Sequence, residues 1–577
     1  MDDVGQLKEV NRSELLMILD QVRGEKDLVI DPNLMTILNH FTTAQFLKKN
    51  GIGKMYRLEN THLDSSAKSR VYLMRAYPSL ISSMIYQILE DRKRRVRCNY
   101  HLVAVPQMTH ACSALLEQHG LFGDVQISGW PLDLLPLDKD LLSLELPSIF
   151  TDLYLAGDQH GIRIVAQSLI TLQSLYGTIP TIHGLGRYSA MVRDLFQLLS
   201  ADQETGATVA IEGEPRIEQL ILFDRSCDSV TPLCSPTTYE GLLDDVFGIK
   251  NGFVEFDKLV TGKDQKIKLL LNSSDSVYAE IRSRHFTAVH SHLSGLAKQL
   301  QTGYDRRHDM TTVQEMKAFV TDLSGMKQQH RSLATHVGAC EVINKKKRAS
   351  FLQKQLQIEH ATLEGLDERE CLELIEELIN RQVSVTTPLR LLCLQSLTSG
   401  GLKPKTYQLL KTQFLQAYGY DHIVTLSRLE EMGWLKEQSD KQVPVFRTAT
   451  KRLKLIPRDS EGYDLSKPPD TAYVFGGAYC PLSCHLAQHA MQNGGWQGIE
   501  DFCQLLTKDV FTISQVASQR KAGVGRSITV VYFIGGCTFS EVNALRFIAQ
   551  QTGKQILVAT TNLCQGTTML QDIIKYT

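Results

Sequence analysis

No stretch of this 577-residue chain is apolar for long enough to cross a bilayer. The longest strongly apolar run, Ile528 to Ile534, meets Gly535 and Gly536 at once, whereas a helical span needs ~20 residues. Excess charge of either sign is also missing: 62 Lys+Arg stand against 63 Asp+Glu. A whole-protein electrostatic grip on nucleic acid or anionic lipid is therefore excluded, although local patches survive that argument. The twelve cysteines form no CxxC pair. The nearest two, Cys480 and Cys484, enclose Pro481 and have no second pair at zinc-finger distance, so the expectation is free, buried thiols with neither a disulfide framework nor a zinc site. The opening Met1-Asp2-Asp3 has no basic, then apolar, leader pattern, and the closing Lys575-Tyr576-Thr577 carries no prenylation or retention signal. The expected setting is cytoplasmic, with any membrane reached through a partner.

Catalytic patterns are equally scarce. GxxxxGK[ST] is absent, and its nearest approach, Gly51-Ile52-Gly53-Lys54-Met55, lacks both the spacing and the hydroxyl that would hold Mg²⁺. Gly535-Gly536-Cys537 lacks the third glycine of a dinucleotide turn and reads as a tight strand-to-helix connection. GxSxG does not occur, and nothing supplies a histidine for Cys537. His290 and His292 would point about 200° apart on a helix, and His330 and His336, six residues apart, are also poorly spaced for one ion; surface or capping roles are expected for them. No cofactor and no metal is expected. Several well-built domains without a chemistry site make binding surface the product of the fold.

What is present is ordinary folded-protein composition, with 43% hydrophobic and 22% charged residues and room for about four domains. Residues 27–30, 70–74 and 100–105 read as strands alternating with helical patterns at 79–90 and 110–119, the signature of βαβ units. A second α/β stretch has a helix over about 162–176 and a strand over 217–223 that runs into Asp224. No proline occurs between Pro236 and Pro388, and this Lys-, Gln-, Glu- and Leu-rich region suits long helices. Strands are expected again at 471–475, 528–534 and 555–559. Three terminal strands alone would make a thin sheet with exposed edges, so they are expected to join the earlier ones, leaving the helical region as an insertion. Two basic clusters remain. Arg92-Lys93-Arg94-Arg95 with Arg97 reads as helix capping, and Lys345-Lys346-Lys347-Arg348 as solvated charge or a docking ridge for an acidic helix.

The segment from Leu222-Phe223-Asp224-Arg225-Ser226-Cys227-Asp228 through Thr231-Pro232-Leu233 to Thr238-Tyr239-Glu240-Gly241-Leu242-Leu243 resembles the signature of the Sec/Munc family of SNARE-binding proteins. Leu134-Leu135-Pro136-Leu137-Asp138 and Leu389-Arg390-Leu391-Leu392-Cys393-Leu394 agree with it. Tyr304-Asp305-Arg306-Arg307, His336 to Glu341, Leu455-Ile456-Pro457-Arg458, Phe475 to Tyr479 and Gly535 to Glu541 resemble the family's vacuolar branch. The loop from Trp434 to Leu453 is shorter than in that branch.

The resemblance implies an α/β protein with a large, mainly helical insertion: a three-domain arch whose doubly wound second domain is discontinuous in sequence. The implied domains are 1–148, 149–235 with 466–577, and a third divided into a SNARE-binding part (236–352) and a partner-binding part (353–465). The implied SNARE surface uses Arg306, Arg307 and Lys317 against acidic groups, with Met310, Met316 and Phe319 as an adaptable apolar strip. The implied partner surface uses Tyr420 and Ile423, with Lys411 one helix earlier. Implied partners are syntaxin-type and other SNAREs, a VIPAR-type solenoid protein in a CHEVI-like complex, and HOPS-like subunits; no nucleic acid is implied. The competing expectations are a scaffold that seldom engages SNAREs, and an α/β enzyme with an unseen small-molecule site.

Overall fold

A computed structural model describes residues 3–63, 67–132, 134–205, 216–262, 264, 266–305, 313–349, 352–438, 444–457, 462–514 and 527–576. The chain divides into two compact units, Met1–Leu142 and Ser143–Thr577. In the first, five parallel strands lie in the order Ile52–Arg57, Lys26–Ile30, Ser69–Arg75, Asn99–Val105, Val125–Gly129. The central strands are buried almost throughout, as their unbroken apolar character requires of a parallel sheet. Ile81, Met84, Ile85 and Ile88 of the helix Pro78–Lys93 share one core with Tyr72, Met74 and Leu102 of the sheet. Buried Arg70 ties that helix down, donating from Nη1 to Asp91 Oδ2 at 2.7 Å while Tyr100 Oη donates to the same oxygen at 3.0 Å.

The glycine pair at 51–53 turns out to be the lead-in to the edge strand Ile52–Arg57. The Lys54 amide already donates to Asp27 Oδ1 at 2.9 Å, so the phosphate reading fails for want of a free cradle of N–H groups. Half-exposed edge residues hide this strand from a search for apolar runs.

In the larger unit, Val510–Ser514, Thr181–Leu185, Ile217–Asp224, Ile528–Ile534 and Gln555–Thr560 lie side by side, all parallel except the first. The strand at 217–224 and the one at 528–534 are thus direct neighbours, with Leu222 opposite Tyr532. Between them in sequence lie the helices from Tyr239–Phe247 to Val445–Leu453, interrupted by a small antiparallel pair, Phe253–Phe256 with Ile267–Leu270. The mixed α/β architecture with a helical insertion is as expected; the small β pair inside it is not.

Residues 471–475 are not a strand. Thr471–Phe475 is a 3₁₀ helix whose Ala472 amide is capped by the Asp470 carboxylate, and Gly476 and Gly477, both at positive φ, close the turn. A five-residue apolar run that is buried on all sides carries no period that tells the two apart.

Candidate functional site

The helical region offers two surfaces, the first of which stands on a buried polar base. The helices Phe286–Asp305 and Val313–Ala349 share a core at one end, where Val289 and Leu293 pack with Leu333, Ala339 and Ile343. At 37 residues the second helix runs roughly 55 Å at 1.5 Å per residue.

Its base is set by His336, which is fully buried rather than a surface or capping group. Its Nδ1 lies 2.8 Å from Tyr239 Oη and its Nε2 lies 3.3 Å from Asp275 Oδ2, so both ring nitrogens are satisfied. Asp275 also accepts from Ser332 and caps the helix Ser276–Ile281. Burial pushes this carboxyl up, but the hydrogen bonds from His336 and Ser332 outweigh it and hold it at about 2. Tyr278 stacks on the His336 ring and donates to Glu240 at 2.6 Å; Arg546, on the helix Phe539–Thr552 behind the sheet, donates to the same carboxylate at 2.7 Å. A continuous set of bonds therefore runs from the long helix into the sheet layer.

Packing is tightest at Gly338, where a Cβ would overlap the Val260 carbonyl oxygen; nothing lies within 4 Å of Gly325 on the same helix. Gly338→Ala is expected to lower the thermal midpoint, because overpacking costs about 1–3 kcal/mol against a helix-propensity gain of about 1. Gly325→Ala, gaining propensity alone, should raise it. Equal midpoints for the two variants would show that the close approach is not tight.

Lys345–Arg348 do not all face water. Lys346 donates to the Val246 carbonyl at 2.8 Å and lies over the Phe247 ring, and Lys347 lies over Phe286. Lys345 and Arg348 instead line an open concavity with Glu341 and Asn344, all on one face of the helix.

Of the residues implied for the SNARE surface, Arg306, Arg307 and Met310 lie outside the described residues. Met316, Lys317 and Phe319 belong to the helix Val313–Ala349, and their side chains lie outside the description.

The second surface is built on Pro404–Tyr418 and His422–Glu431. Tyr420 is 67% exposed, Ile423 48% and Val424 52%, an apolar strip at i, i+3 and i+4. Val424 was not singled out from the sequence, although its spacing from Tyr420 was the available signal. Lys411 is engaged within the fold: its Nζ lies 2.9 Å from Glu430 and over the Tyr407 ring, clasping the two helices together. Tyr418 turns inward and donates to the Val383 carbonyl at 2.9 Å. The strip is held firm from below by Arg428, which donates to the Ile573 carbonyl at 2.9 Å and lies over the Tyr576 ring.

Arg225, at the end of the strand Ile217–Asp224, is 2% exposed and meets both oxygens of fully buried Glu541 at 2.9 Å. It also donates to the Asp228 carbonyl, and the Asp228 carboxylate accepts from Thr231 and from the Ser483 amide. Residues of the 222–233 segment are thus locked to the chain's last third. Cys537, beside them, is fully buried and burial pushes its thiol well up, opposite to what a nucleophile needs. Among the described residues no group of three His, Cys, Asp or Glu side chains is placed to hold a metal ion, and no helix is long and apolar enough to cross a membrane.

The Sec1 family profile matches residues 26–572. The chain belongs to the Sec1 family. It is a vesicle-trafficking protein of that family, whose members are also called SM proteins. It is 40% identical to human vacuolar protein sorting-associated protein 33B over 603 residues, covering 99% of this chain and 97% of that protein. It is 39% identical to the zebrafish (Danio rerio) protein of the same name over 608 residues, covering 100% and 98%. Among solved structures, the SM protein Vps45 in complex with the Qa SNARE Tlg2 aligns over 98% of this chain and 97% of that one, with a TM-score of 0.62 at 16% identity. The SM fold thus accounts for the interrupted sheet of the larger unit.

Proposed function

We propose that this SM protein is a non-enzymatic regulator of SNARE-mediated fusion and tethering. In this reading it works in the cytoplasm and on the surface of late endosomes, lysosomes and recycling endosomes. It holds SNARE helices along residues 286–349 and docks a helical solenoid partner of the VIPAR type through residues 404–431. The observation that carries this is a 37-residue helix anchored in its C-terminal half by the His336 and Gly338 contacts. Glu341, Lys345 and Arg348 line an open concavity on one charged face of that helix, which suits a partner helix of opposite charge pattern. The three domains, 1–148, 149–235 with 466–577, and a third divided into 236–352 and 353–465, are part of this proposal.

Arg306→Glu combined with Arg307→Glu is expected to weaken binding of isolated SNARE motifs at least tenfold, as reversal of two charges opposite an acidic helix does, and to leave the thermal midpoint in place. Unchanged binding in the double variant would remove these residues from the surface.

The second reading, a sorting scaffold that seldom engages SNAREs, is favoured by the strip at Tyr420, Ile423 and Val424. Direct titration of SNARE motifs into the purified chain separates the two, since only the first reading expects saturable binding.

A further inference from the structure

The basic cluster at 92–97 is not used by either proposed surface. It lies in the first unit, where the helix Pro78–Lys93 ends and the chain turns into the strand Asn99–Val105. All six residues from Arg92 to Arg97 are exposed, and Val96, among the arginines, is itself 37% exposed. Capping of the helix accounts for part of the cluster only. Lys93 lies 2.6 Å from Glu90 and Arg92 pairs with Asp124, so the nearest carboxylates are already answered. Arg94, Arg95 and Arg97 are surplus to that task, and Arg95 sits at φ +58, a left-handed turn just past the end of the helix.

Strand register places two further groups beside this turn. Asn99–Val105 pairs in parallel with Val125–Gly129, Tyr100 opposite Val125, so the segments leading into both strands emerge at one end of the sheet. The neighbouring lead-in, 119–124, presents Phe122 at 48% exposure on a turn pinned by fully buried Leu121, and the Arg92–Asp124 pair ties the two turns together. On the other side Ser69 pairs with Asn99, and exposed Lys68 offers its carbonyl to the Asn99 amide. The end of the sheet at which these strands begin therefore carries Lys68, Arg92, Lys93, Arg94, Arg95 and Arg97 against Glu90, Glu117, Asp124 and, ahead of the strand Lys26–Ile30, Glu25, with Val96 and Phe122 as apolar tips among them. The base is rigid, because the Arg70–Asp91–Tyr100 set fixes the end of the helix to the sheet.

We infer that this end of the first unit's sheet is a direct contact site for an anionic phospholipid surface, additional to any attachment through a partner. Guanidinium groups in surplus match phosphate-bearing headgroups. An aromatic and an aliphatic tip on separate turns, rather than along a groove or an open strand, suit shallow insertion at a planar interface more than capture of an extended peptide. The neutral charge of the whole chain is no obstacle, since attraction to a membrane falls off within a Debye length and is decided locally.

The test is sedimentation of the full chain with vesicles of phosphatidylcholine alone or containing about 30% phosphatidylserine, the anionic lipid of cytoplasmic leaflets. Binding is expected only to the anionic vesicles and is expected to fall as salt is raised. Arg94→Glu with Arg95→Glu and Arg97→Glu should weaken it by about 100-fold or more, given the contribution of each cation near such a surface. Arg94→Gln with Arg97→Gln, which leaves the Arg95 turn untouched and guards against misfolding, should weaken it by about 30-fold on the same basis. Phe122→Ala should cost several-fold at unchanged charge. Arg369→Glu with Lys403→Glu and Lys405→Glu, three reversals on exposed residues of the larger unit, should leave binding as in wild type. Equal binding to neutral vesicles, full binding by the glutamine variant, or equal loss in the distant control would each overturn the inference. So would capture of an acidic peptide by a surface that ignores vesicles.

Discussion

Replacing Glu541 by alanine is expected to lower the unfolding free energy by about 3–5 kcal/mol, the cost of leaving a buried guanidinium without its partner. Arg225 cannot escape to water: it is 2% exposed, both of its contacts to Glu541 are 2.9 Å long, its other hydrogen bonds go to the carbonyls of Asp228 and Gly536, and the second carboxylate, Asp228 Oδ2, stands farther off at 3.6 Å. Glu541 has further duties. It accepts from Ser483 Oγ at 2.5 Å and completes a capping box with Thr538, whose amide donates to Oε2 at 2.9 Å. One substitution therefore unpairs a charge, strands a buried hydroxyl and uncaps a helix. Replacing both members of the pair by apolar residues, Arg225→Met with Glu541→Leu, is expected to cost less than the sum of the single changes, since neither member is left facing the gap of the other; the Asp228 carboxylate, 3.6 Å from Arg225 Nη2, still loses its cation and keeps the double variant below wild type. Denaturant unfolding of the four proteins decides it: strict additivity, or a Glu541→Ala variant as stable as wild type, would show that the pair does not hold the interrupted sheet together.

Tyr420→Asp is expected to abolish recovery of the proposed solenoid partner while leaving the thermal midpoint unchanged. Tyr420 is two-thirds exposed, and Ile423 and Val424 continue the same apolar strip. A tyrosine at the centre of such a patch is a typical energetic anchor, and its loss weakens an interface by at least about 30-fold, before the added cost of a buried carboxylate. Lys411→Ala provides the contrast. Its ammonium is engaged with Glu430, so it should loosen the two helices slightly and reduce partner recovery far less. Affinity purification of the tagged chain, wild type beside the two variants, reads out both effects. Full-stoichiometry partner with Tyr420→Asp would move the docking face elsewhere.

Legibility followed burial pattern. The strands at 26–30, 69–75, 99–105, 217–224, 528–534 and 555–560 are continuous β-rich runs, and all were visible within two residues. Thr181–Leu185 and Val510–Ser514 were not: one is five residues long with a glycine in it, the other is an edge strand with a half-exposed face. The insertion was readable because absence of proline permits long helices. Its internal β pair, Phe253–Phe256 with Ile267–Leu270, was not, since four-residue strands give no period to count. The site residues divide in the same way. Tyr420 was reached through the family resemblance, while Lys411 could be recognised as a clasp only once Glu430 was seen beside it.

Composition, spacing and motif determined the class of this protein: a neutral, globular α/β chain with a helical insertion, whose residues 26–572 match the Sec1 family. Those properties are local, and each is written in a few neighbouring residues. Tertiary structure alone decided which charges are spent and which are free. Arg225 and Glu541 are 316 residues apart and Tyr239 and His336 are 97 apart, so their pairing depends on sheet order and helix packing. The surplus of arginine at 94–97 acquires meaning in the same way, when parallel register brings Phe122 to its side. A charge run reads identically in sequence whether it caps a helix, stacks on a core or faces a membrane, because the difference lies in the groups across from it, and distant parts of the chain supply them.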